Sequence, residues 1–156
     1  MLAGKLPACA HIEVDALRYM VVGGLVAYGG GQSPAKHPEE YKRQCWLAVE
    51  HAMMFARNFA ANGFSSVIEG VEDECAPGSQ WHGNLRDFRV FNILMICDNS
   101  VLERRWQERT GNSTLTKGIV TASEFWRSVA KTFDLVLDSS STCPELLADR
   151  AAKVLS

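Results

Sequence analysis

The sequence lacks the features that mark membrane, secreted and nucleic-acid-binding proteins. No segment approaches the roughly 20 consecutive apolar residues that a membrane-spanning helix needs. The N-terminal stretch MLAGKLPACA contains one lysine and no long apolar core, which makes it a poor secretory signal. The formal net charge of -2 argues against a basic surface for nucleic acid or anionic lipid. We therefore expect a cytoplasmic protein with neither a membrane nor a nucleic-acid partner.

The cysteines lack the spacing of a disulfide framework or a zinc site. They are Cys9, Cys45, Cys75, Cys97 and Cys143. An odd number of cysteines without any CxxC pair indicates reduced thiols in a cytosolic protein. Cys9 lies two residues before His11, but this pair has neither zinc-site spacing nor a second half. The same is true of Cys75 and His82, so no metal site is predicted.

What the sequence does contain is an alternation of strand-like and helix-like segments. The 156 residues, 47% of them hydrophobic, suffice for one domain with a real core. Four segments have the composition of strands, namely 10–15, 64–71, 89–98 and 134–140. The third is almost entirely apolar, as in strands buried on both faces. This order predicts an α/β fold with three layers, a parallel sheet with helices on both faces.

The most regular helical pattern extends from Tyr41 to Asn62 and is followed by Gly63. Its apolar residues recur in steps of three and four, at Cys45, Trp46, Val49, Met53, Ala56, Phe59 and Ala60. A second helix is expected after a cap at Asn99 or Ser100, ending at Gly111. A third is expected after a capping box that starts at Thr121.

Carboxylates follow each predicted strand, at the edge where parallel sheets bind ligands. They are Asp15, Glu69, Asp98 and Asp138. Turn formation and helix capping account for Asp98 and Asp138. Asp15 and Glu69 follow apolar runs, and a carboxylate held there can accept a proton from a hydroxyl or hold a metal-bound water. The alternative for both is a cap or a structural salt bridge.

Two arginines four residues apart, Arg105 and Arg109, share one face of the second predicted helix. Two guanidinium groups on one face suit phosphate, because their planar forks match its oxygens. The alternative is a solvated helix face on which Glu103 and Glu108 balance the arginines. Lys117 follows in a polar loop and favours anion binding slightly.

Four segments together resemble the small P-loop kinases. They are HIEVDALRYM (11–20), ANGFSSVIEGV (61–71), VFNILMICDNSVLERRWQER (90–109) and FDLVLDSSSTCPELLADRAAKVL (133–155). In their order and spacing they are similar to the chloramphenicol phosphotransferase-like and shikimate kinase-like ATP-binding proteins. The resemblance covers the chain from about residue 10 to the end. It implies one P-loop kinase-like domain over residues 1–156.

The resemblance also implies roles for particular residues. In such kinases the second strand ends in a Val-Asp pair whose Asp contacts the substrate hydroxyl and acts as the base. Val14 and Asp15 match it, which makes Asp15 the candidate catalytic residue. The helix after the fourth strand carries an L-x-x-R-x-x-x-R pattern that reaches over the ATP phosphates. Leu102, Arg105 and Arg109 match that pattern and are the candidate cofactor-binding residues.

The substrate side, again by resemblance, includes Arg18, Glu69 and Gly70, since the third strand of these kinases ends near Mg²⁺ and substrate. Residues 138–142 correspond to the adenine pocket, and the 22–40 and 72–88 segments would shape the substrate pocket. The implied activity is an ATP-dependent phosphotransferase acting on a small hydroxylated molecule. Its cofactors would be ATP and Mg²⁺ if the chain is active.

One part of the kinase pattern is missing. The first strand and the Walker A loop, GxxxxGK[ST], hold the nucleotide phosphates, and the chain has only AGKL at residues 3–6, with Leu6 in place of Ser or Thr. The alternative function is therefore a non-catalytic ligand-binding or interaction protein that uses no cofactor. In the family the missing strand lies between the third and fourth strands. Either those two strands pair directly, or another segment or a second copy in a homodimer fills the gap, or the natural protein begins upstream of Met1.

Overall fold

The computed structural model describes residues 1–27, 30–70, 85, 87–111 and 117–155. The chain divides into two compact units. We call residues 6–88 the N-terminal unit, and residues 1–5 together with 89–156 the C-terminal unit. Each unit contains one pair of parallel strands and its own hydrophobic core. The mixed α/β class expected from the sequence is confirmed, while the single kinase-like domain stays a prediction.

The N-terminal unit combines two parallel strands and two helices with a small hairpin. Its elements are β1 (Cys9–Glu13), α1 (Val14–Arg18), β2 (Val26–Ala27), β3 (Gly30–Gly31), α2 (Pro38–Ala61) and β4 (Ser65–Glu69). β1 and β4 are parallel, with Cys9 opposite Ser65 and Glu13 opposite Glu69. β2 and β3 are antiparallel and lie within the 22–40 segment, which the resemblance assigns to the substrate pocket.

Helix α2 forms where the apolar spacing predicted it. Pro38 begins the helix, and acidic residues in the first turn favour its positive end. The helix ends before Gly63, whose φ of 81° is a conformation that glycine adopts at little cost. The buried face consists of Gln44, Cys45, Ala48, Val49, Ala52, Met53 and Ala56. The apolar stripe is thus confirmed at four of its seven positions, and small alanines and one glutamine complete the buried face.

The β1–β4 pair has one buried face and one polar face. Ile12 and Ile68 pack into the same cluster as the buried residues of α2. Successive side chains of a strand point to opposite faces. The opposite face of this pair is polar and carries the exposed residues His11, Glu13 and Glu69. In the described part of this unit, therefore, the prediction of helices on both faces of the sheet is not confirmed.

The first predicted strand ends earlier than expected. β1 stops at Glu13, and Asp15 is the second residue of α1 rather than the last residue of a strand. The reason is local, because Val14 and Leu17 are buried and Asp15 forms an i,i+3 ion pair with Arg18, and both spacings suit a helix. Asp15 still lies just beyond the carboxyl end of β1.

The C-terminal unit has a second parallel pair with three helices. Its elements are a 3₁₀ helix (Leu2–Lys5), β5 (Ile93–Ile96), α3 (Asn99–Thr110), α4 (Lys117–Ser128), a 3₁₀ helix (Ala130–Thr132), β6 (Leu135–Asp138) and α5 (Pro144–Leu155). β5 and β6 are paired from Ile93 opposite Leu135 to Ile96 opposite Asp138. α4 contacts β5, and α5 contacts the first 3₁₀ helix. The core is formed by Leu137, Leu147 and Ala151, with Leu2, Ile93 and Leu135 packed against it.

Helix ends in this unit were predicted with mixed success. Gly111, with a φ of 75°, ends α3 as expected. The N-cap position of α3 is Asp98, not Asn99 or Ser100, and its side chain makes no capping hydrogen bond. α4 begins at Lys117, so that Thr121 lies inside the helix instead of capping it. The extra turn, Lys117–Val120, contains a glycine and two β-branched residues, so local helix propensity does not explain it.

β5 is shorter and more exposed than its apolar sequence suggests. Four of the ten predicted residues are in the strand, and of these only Leu94 is buried, while Met95 is 52% exposed. Throughout the described residues, β5 pairs with β6 alone and β4 pairs with β1 alone. Direct pairing of β4 with β5, one of the three ways to close the expected gap, is therefore not found, and a three-layer sheet is not confirmed. Of the helices described, none combines the length and the apolar character that crossing a membrane requires.

Candidate functional site

The N-terminal unit brings together Asp15 and Arg18 just beyond the carboxyl end of β1. A terminal nitrogen of Arg18 lies 3.0 Å from Oδ1 of Asp15. The two partners differ in environment, because the Arg18 side chain is 8% exposed and that of Asp15 is 59% exposed. The salt bridge that was the alternative to catalysis at Asp15 is thus present, yet the carboxylate remains accessible to a ligand.

Arg18 is held by aromatic and sulfur neighbours as well as by Asp15. Its Nη1 donates hydrogen bonds to the Tyr41 hydroxyl at 3.0 Å and to Sγ of Cys45 at 3.6 Å. The guanidinium carbon lies 5.3 Å from the ring centroids of both Tyr19 and Tyr41, within the range of cation–π attraction. Nε is buried and makes no hydrogen bond within the described chain.

These contacts keep Arg18 charged. Burial disfavours the charged form, but the hydrogen bond to Cys45, the charge of Asp15 and the contact with Tyr41 outweigh it and raise the pKa of the guanidinium. Arg18 is therefore a permanent positive charge beneath an exposed carboxylate. Such a charge holds the carboxylate in a fixed orientation through the 3.0 Å ion pair.

Glu69 ends β4 at the same edge of the sheet. Its Oε2 lies 2.9 Å from Nε2 of His11, and its side chain is 66% exposed. Glu13 lies directly opposite in the strand register, so three polar residues meet on the exposed face. Gly70 follows β4 and is exposed. Residues 71–84 and 86, which include most of the predicted 72–88 pocket segment with Cys75 and His82, lie outside the described residues.

The two predicted phosphate-binding arginines are in the other unit, on α3. Arg105 donates one hydrogen bond to Oγ of Ser139 at 3.0 Å and another to the Ser139 carbonyl at 2.7 Å. Arg105 therefore ties α3 to the residue that follows β6. Arg109, one turn later, is exposed and forms no ion pair in the described residues. Ion pairs from Glu103 and Glu108, the predicted alternative, are likewise not found within that part of the chain.

The carboxylates at the ends of β5 and β6 have different partners, since Asp138 binds Ser140 and Asp98 lies near Arg127. Oδ1 of Asp138 accepts hydrogen bonds from the backbone N–H of Ser140 at 2.8 Å and from its hydroxyl at 2.5 Å. These bonds lower the pKa of Asp138, and the charge of Arg127 contributes less. Arg127 also donates to the Cys97 carbonyl and lies 3.8 Å from Asp98. Turn formation at Asp138, the interpretation favoured from the sequence, agrees with this geometry.

Gln44 is a buried polar residue that the sequence patterns did not single out. Its Oε1 accepts a hydrogen bond from the Val26 N–H, and its Nε2 donates to the Gly24 carbonyl, both at 2.9 Å. Nε2 also donates to Glu40 at 2.7 Å. The signal that could have revealed it is a polar residue one position before Cys45, at the start of the apolar stripe. Gln44 fixes the 24–26 segment to α2.

The candidate residues thus fall into two groups. Asp15, Arg18, Glu69 and Gly70 belong to the N-terminal unit, and Arg105 and Arg109 belong to the C-terminal unit. Among the residues that the structure describes, no three His, Cys, Asp or Glu side chains are arranged to hold a metal ion. No protein-family model matches the chain, and no curated protein is similar enough to count as a relative.

Proposed function

We propose that the chain binds a small hydroxylated molecule through Asp15, on a kinase-like α/β fold. The observation that carries this proposal is the pairing of the exposed Asp15 carboxylate with the buried Arg18 guanidinium. The buried partner holds the carboxylate in place, and the exposed group can accept a hydrogen bond from a ligand hydroxyl. This arrangement fits the resemblance, in which the corresponding Asp contacts the substrate hydroxyl.

Glu69 and Gly70 support the same location. β1 and β4 run in parallel and end together, with Glu13 opposite Glu69. Ligands of parallel sheets bind beyond this carboxyl edge. Glu69 adds an exposed acceptor there, and the proposed ligand is accordingly rich in hydrogen-bond donors.

ATP and Mg²⁺ fit the described residues poorly. Tight phosphate binding in such kinases depends on a glycine-rich loop and a lysine, and GxxxxGK[ST] does not occur in the sequence. The guanidinium donors of Arg105 are already used on Ser139. Ligand binding is therefore the function that we propose first, ahead of phosphoryl transfer.

The second candidate is the ATP-dependent phosphotransferase that the resemblance implies. It is favoured by Arg109, which is exposed on the same face of α3 as Arg105 and is available to an anion. ATP and Mg²⁺ would supply the phosphoryl group and its charge neutralisation. In this candidate Asp15 would hold the substrate hydroxyl and accept its proton.

The binding proposal can be tested by calorimetric titration of the full chain with chloramphenicol and with shikimate, the ligands named by the resemblance. We expect one of them to bind, and Asp15→Asn to weaken binding about tenfold because a charge-assisted hydrogen bond is replaced by a neutral one. Glu50→Gln, an exposed acid on α2, is the control and should leave affinity unchanged. Failure of both probes to bind, or equal losses in the two variants, would contradict the proposal.

The phosphotransferase candidate is tested by titration with Mg-ATP. Arg109→Ala should weaken nucleotide binding, whereas Arg104→Ala, on another face of the same helix, should not. No measurable heat at millimolar Mg-ATP would exclude this candidate. That result would leave ligand binding at Asp15 unaffected, so the two candidates are distinguishable.

A further inference from the structure

An exposed aromatic ring, that of Tyr19, lies one helical turn after Asp15. Tyr19 is the C-cap residue of α1, and its backbone N–H donates a hydrogen bond to the Asp15 carbonyl at 3.0 Å. Side chains four residues apart along a helix are neighbours on one face. The ring and the exposed carboxylate therefore lie side by side at the surface.

Arg18 contacts both of these side chains and fixes their arrangement. One of its terminal nitrogens lies 3.0 Å from Oδ1 of Asp15, and its guanidinium carbon lies 5.3 Å from the centroid of the Tyr19 ring. Arg18 is itself only 7% exposed and donates a hydrogen bond to the Tyr41 hydroxyl. Because the shared partner is buried, the ring is held at a defined position relative to the carboxylate.

The Tyr19 ring is available to a ligand. The Arg18 guanidinium lies over the ring, yet Tyr19 is 50% exposed. Within the described residues the ring forms no pair with another aromatic ring. Met20 and Val22, which follow along the chain, are 69% and 90% exposed. An accessible aromatic surface beside a hydrogen-bond acceptor is suited to a ligand that combines a planar ring with a hydroxyl group.

The charges at this edge of the sheet favour an uncharged ligand. The positive charge of Arg18 is matched by Asp15, and the imidazole of His11 is in contact with Glu69. Glu13, at the end of β1, is exposed and takes part in none of the ion pairs found within the described residues. An anionic ligand would be repelled by these carboxylates.

We propose that the ligand of the Asp15 site is an uncharged alcohol that carries an aromatic ring, with its hydroxyl bound to Asp15 and its ring stacked on Tyr19. The inference rests on the proposed function and adds the class of hydroxylated molecule that binds. The hydroxyl supplies a charge-assisted hydrogen bond, and the ring supplies the apolar contact. A ring-free polyol would leave the face of Tyr19 in water, and an aromatic acid would add a charge of the wrong sign.

Three matched probes test this selectivity in titrations of the full chain followed by amide NMR shifts. They are 1-phenylethane-1,2-diol, its cyclohexyl analogue, and mandelate, in which a carboxylate replaces the terminal CH₂OH group. The phenyl diol should bind about twofold to tenfold more tightly than the cyclohexyl diol, because only a planar ring stacks. It should also bind more tightly than mandelate. A phenyl diol that does not bind, or that binds no better than either of the other probes, would overturn the proposal.

Two substitutions locate the aromatic contact, with circular dichroism to establish that each variant is folded. Tyr19→Leu should weaken binding of the phenyl diol about twofold to tenfold and leave the cyclohexyl diol nearly unchanged, whereas Tyr19→Phe should preserve both affinities. Phe64→Leu is the matched control, because Phe64 is 45% exposed and precedes the opposite, amino end of β4. Equal losses for Tyr19→Leu and Phe64→Leu, or a loss of stacking in Tyr19→Phe, would refute the role of the Tyr19 ring.

The same titrations distinguish this inference from the function on which it rests. If Asp15→Asn weakens binding of the phenyl diol and Tyr19→Leu does not, the aromatic contact is refuted and ligand binding at Asp15 stands. If Tyr19→Leu weakens binding and Asp15→Asn does not, the role of Asp15 is refuted instead. Losses in both variants, with Phe64→Leu unchanged, would support the two proposals together.

Discussion

The N-terminal and C-terminal units each contain a parallel strand pair, but they place charge differently. In the N-terminal unit a guanidinium, Arg18, is buried beside an exposed carboxylate, and one face of the β1–β4 pair is polar. In the C-terminal unit the strands are mostly apolar. Arg105 and Arg127 donate hydrogen bonds to Ser139 and Cys97, the residues that follow β6 and β5. The difference is that the carboxylate of Asp15 is exposed to solvent in the first unit, whereas Arg105 and Arg127 of the second unit are used on backbone carbonyls.

The largest expected effect comes from removing core side chains in either unit. Ile12→Ala in the N-terminal unit and Leu137→Ala in the C-terminal unit should each lower the free energy of unfolding by about 2–5 kcal/mol, because both side chains are buried in apolar clusters. Urea denaturation measures this, with Val22→Ala, at a 90% exposed position, as the control. If Val22→Ala cost as much as either core variant, the assignment of the two cores would be wrong.

Sequence patterns were most informative where structure is local. The apolar stripe from Cys45 to Ala60 predicted α2, because helix contacts join residues three or four apart, and the glycines at 63 and 111 predicted the ends of α2 and α3. Strand lengths were overestimated, since the length of a ladder depends on which distant strand pairs with it. The apolar run at 89–98 predicts a strand buried on both faces, whereas only Ile93–Ile96 form a strand, and Leu94 is its one buried residue.

The candidate site shows the same limit. Asp15 and Arg18 could be singled out from the sequence, and their i,i+3 spacing permits the ion pair that forms. The burial of Arg18 between Tyr19 and Tyr41 depends on packing of α1 against α2, which no local pattern specifies. The hydrogen bonds of Arg105 to Ser139 join residues 34 positions apart, so no local sequence pattern could predict them.

A somewhat smaller loss is expected for Gln44→Leu in the N-terminal unit. The Val26 N–H, which is fully buried, would lose its acceptor, and leaving a buried donor unsatisfied costs about 1–3 kcal/mol. The matched control in the C-terminal unit is Gln107→Leu at an exposed position of α3, which should be nearly neutral. Equal unfolding midpoints for the two leucine variants in urea would contradict the role assigned to Gln44.

Arg105→Met tests whether the arginine link to Ser139 stabilises the C-terminal unit. It removes two exposed hydrogen bonds to Ser139, so we expect a loss of about 1 kcal/mol. Arg104→Met on the neighbouring face should change stability by less than about 0.5 kcal/mol. Thermal unfolding of both variants measures the difference, and a loss at Arg104 equal to that at Arg105 would argue against the link between α3 and Ser139.

The smallest expected effect concerns two carboxylates with lowered pKa values. Hydrogen bonds from Arg43 and then Gln44 lower the pKa of Glu40 from its ordinary 4.5 to about 2, whereas Ser140 is the main cause at Asp138. The stabilisation at Glu40 is present above its unfolded pKa and is lost as the pH falls towards 2. Because its main partner is charged, added salt should raise the pKa of Glu40 and leave Asp138 nearly unchanged. Carboxyl carbon shifts in NMR titrations at two salt concentrations measure both, and the reverse order of salt sensitivity would contradict these assignments.

The hydrogen bond between Gln44 and Val26 gives the N-terminal unit an internal reporter. The Val26 amide is buried, and its acceptor is a side chain on α2 rather than a backbone carbonyl of its own hairpin. Its exchange with deuterium therefore requires the 24–26 segment to separate from the helix. A single amide resonance would measure how often that segment opens, and any ligand that holds the segment against α2 would be visible as slower exchange at this one position.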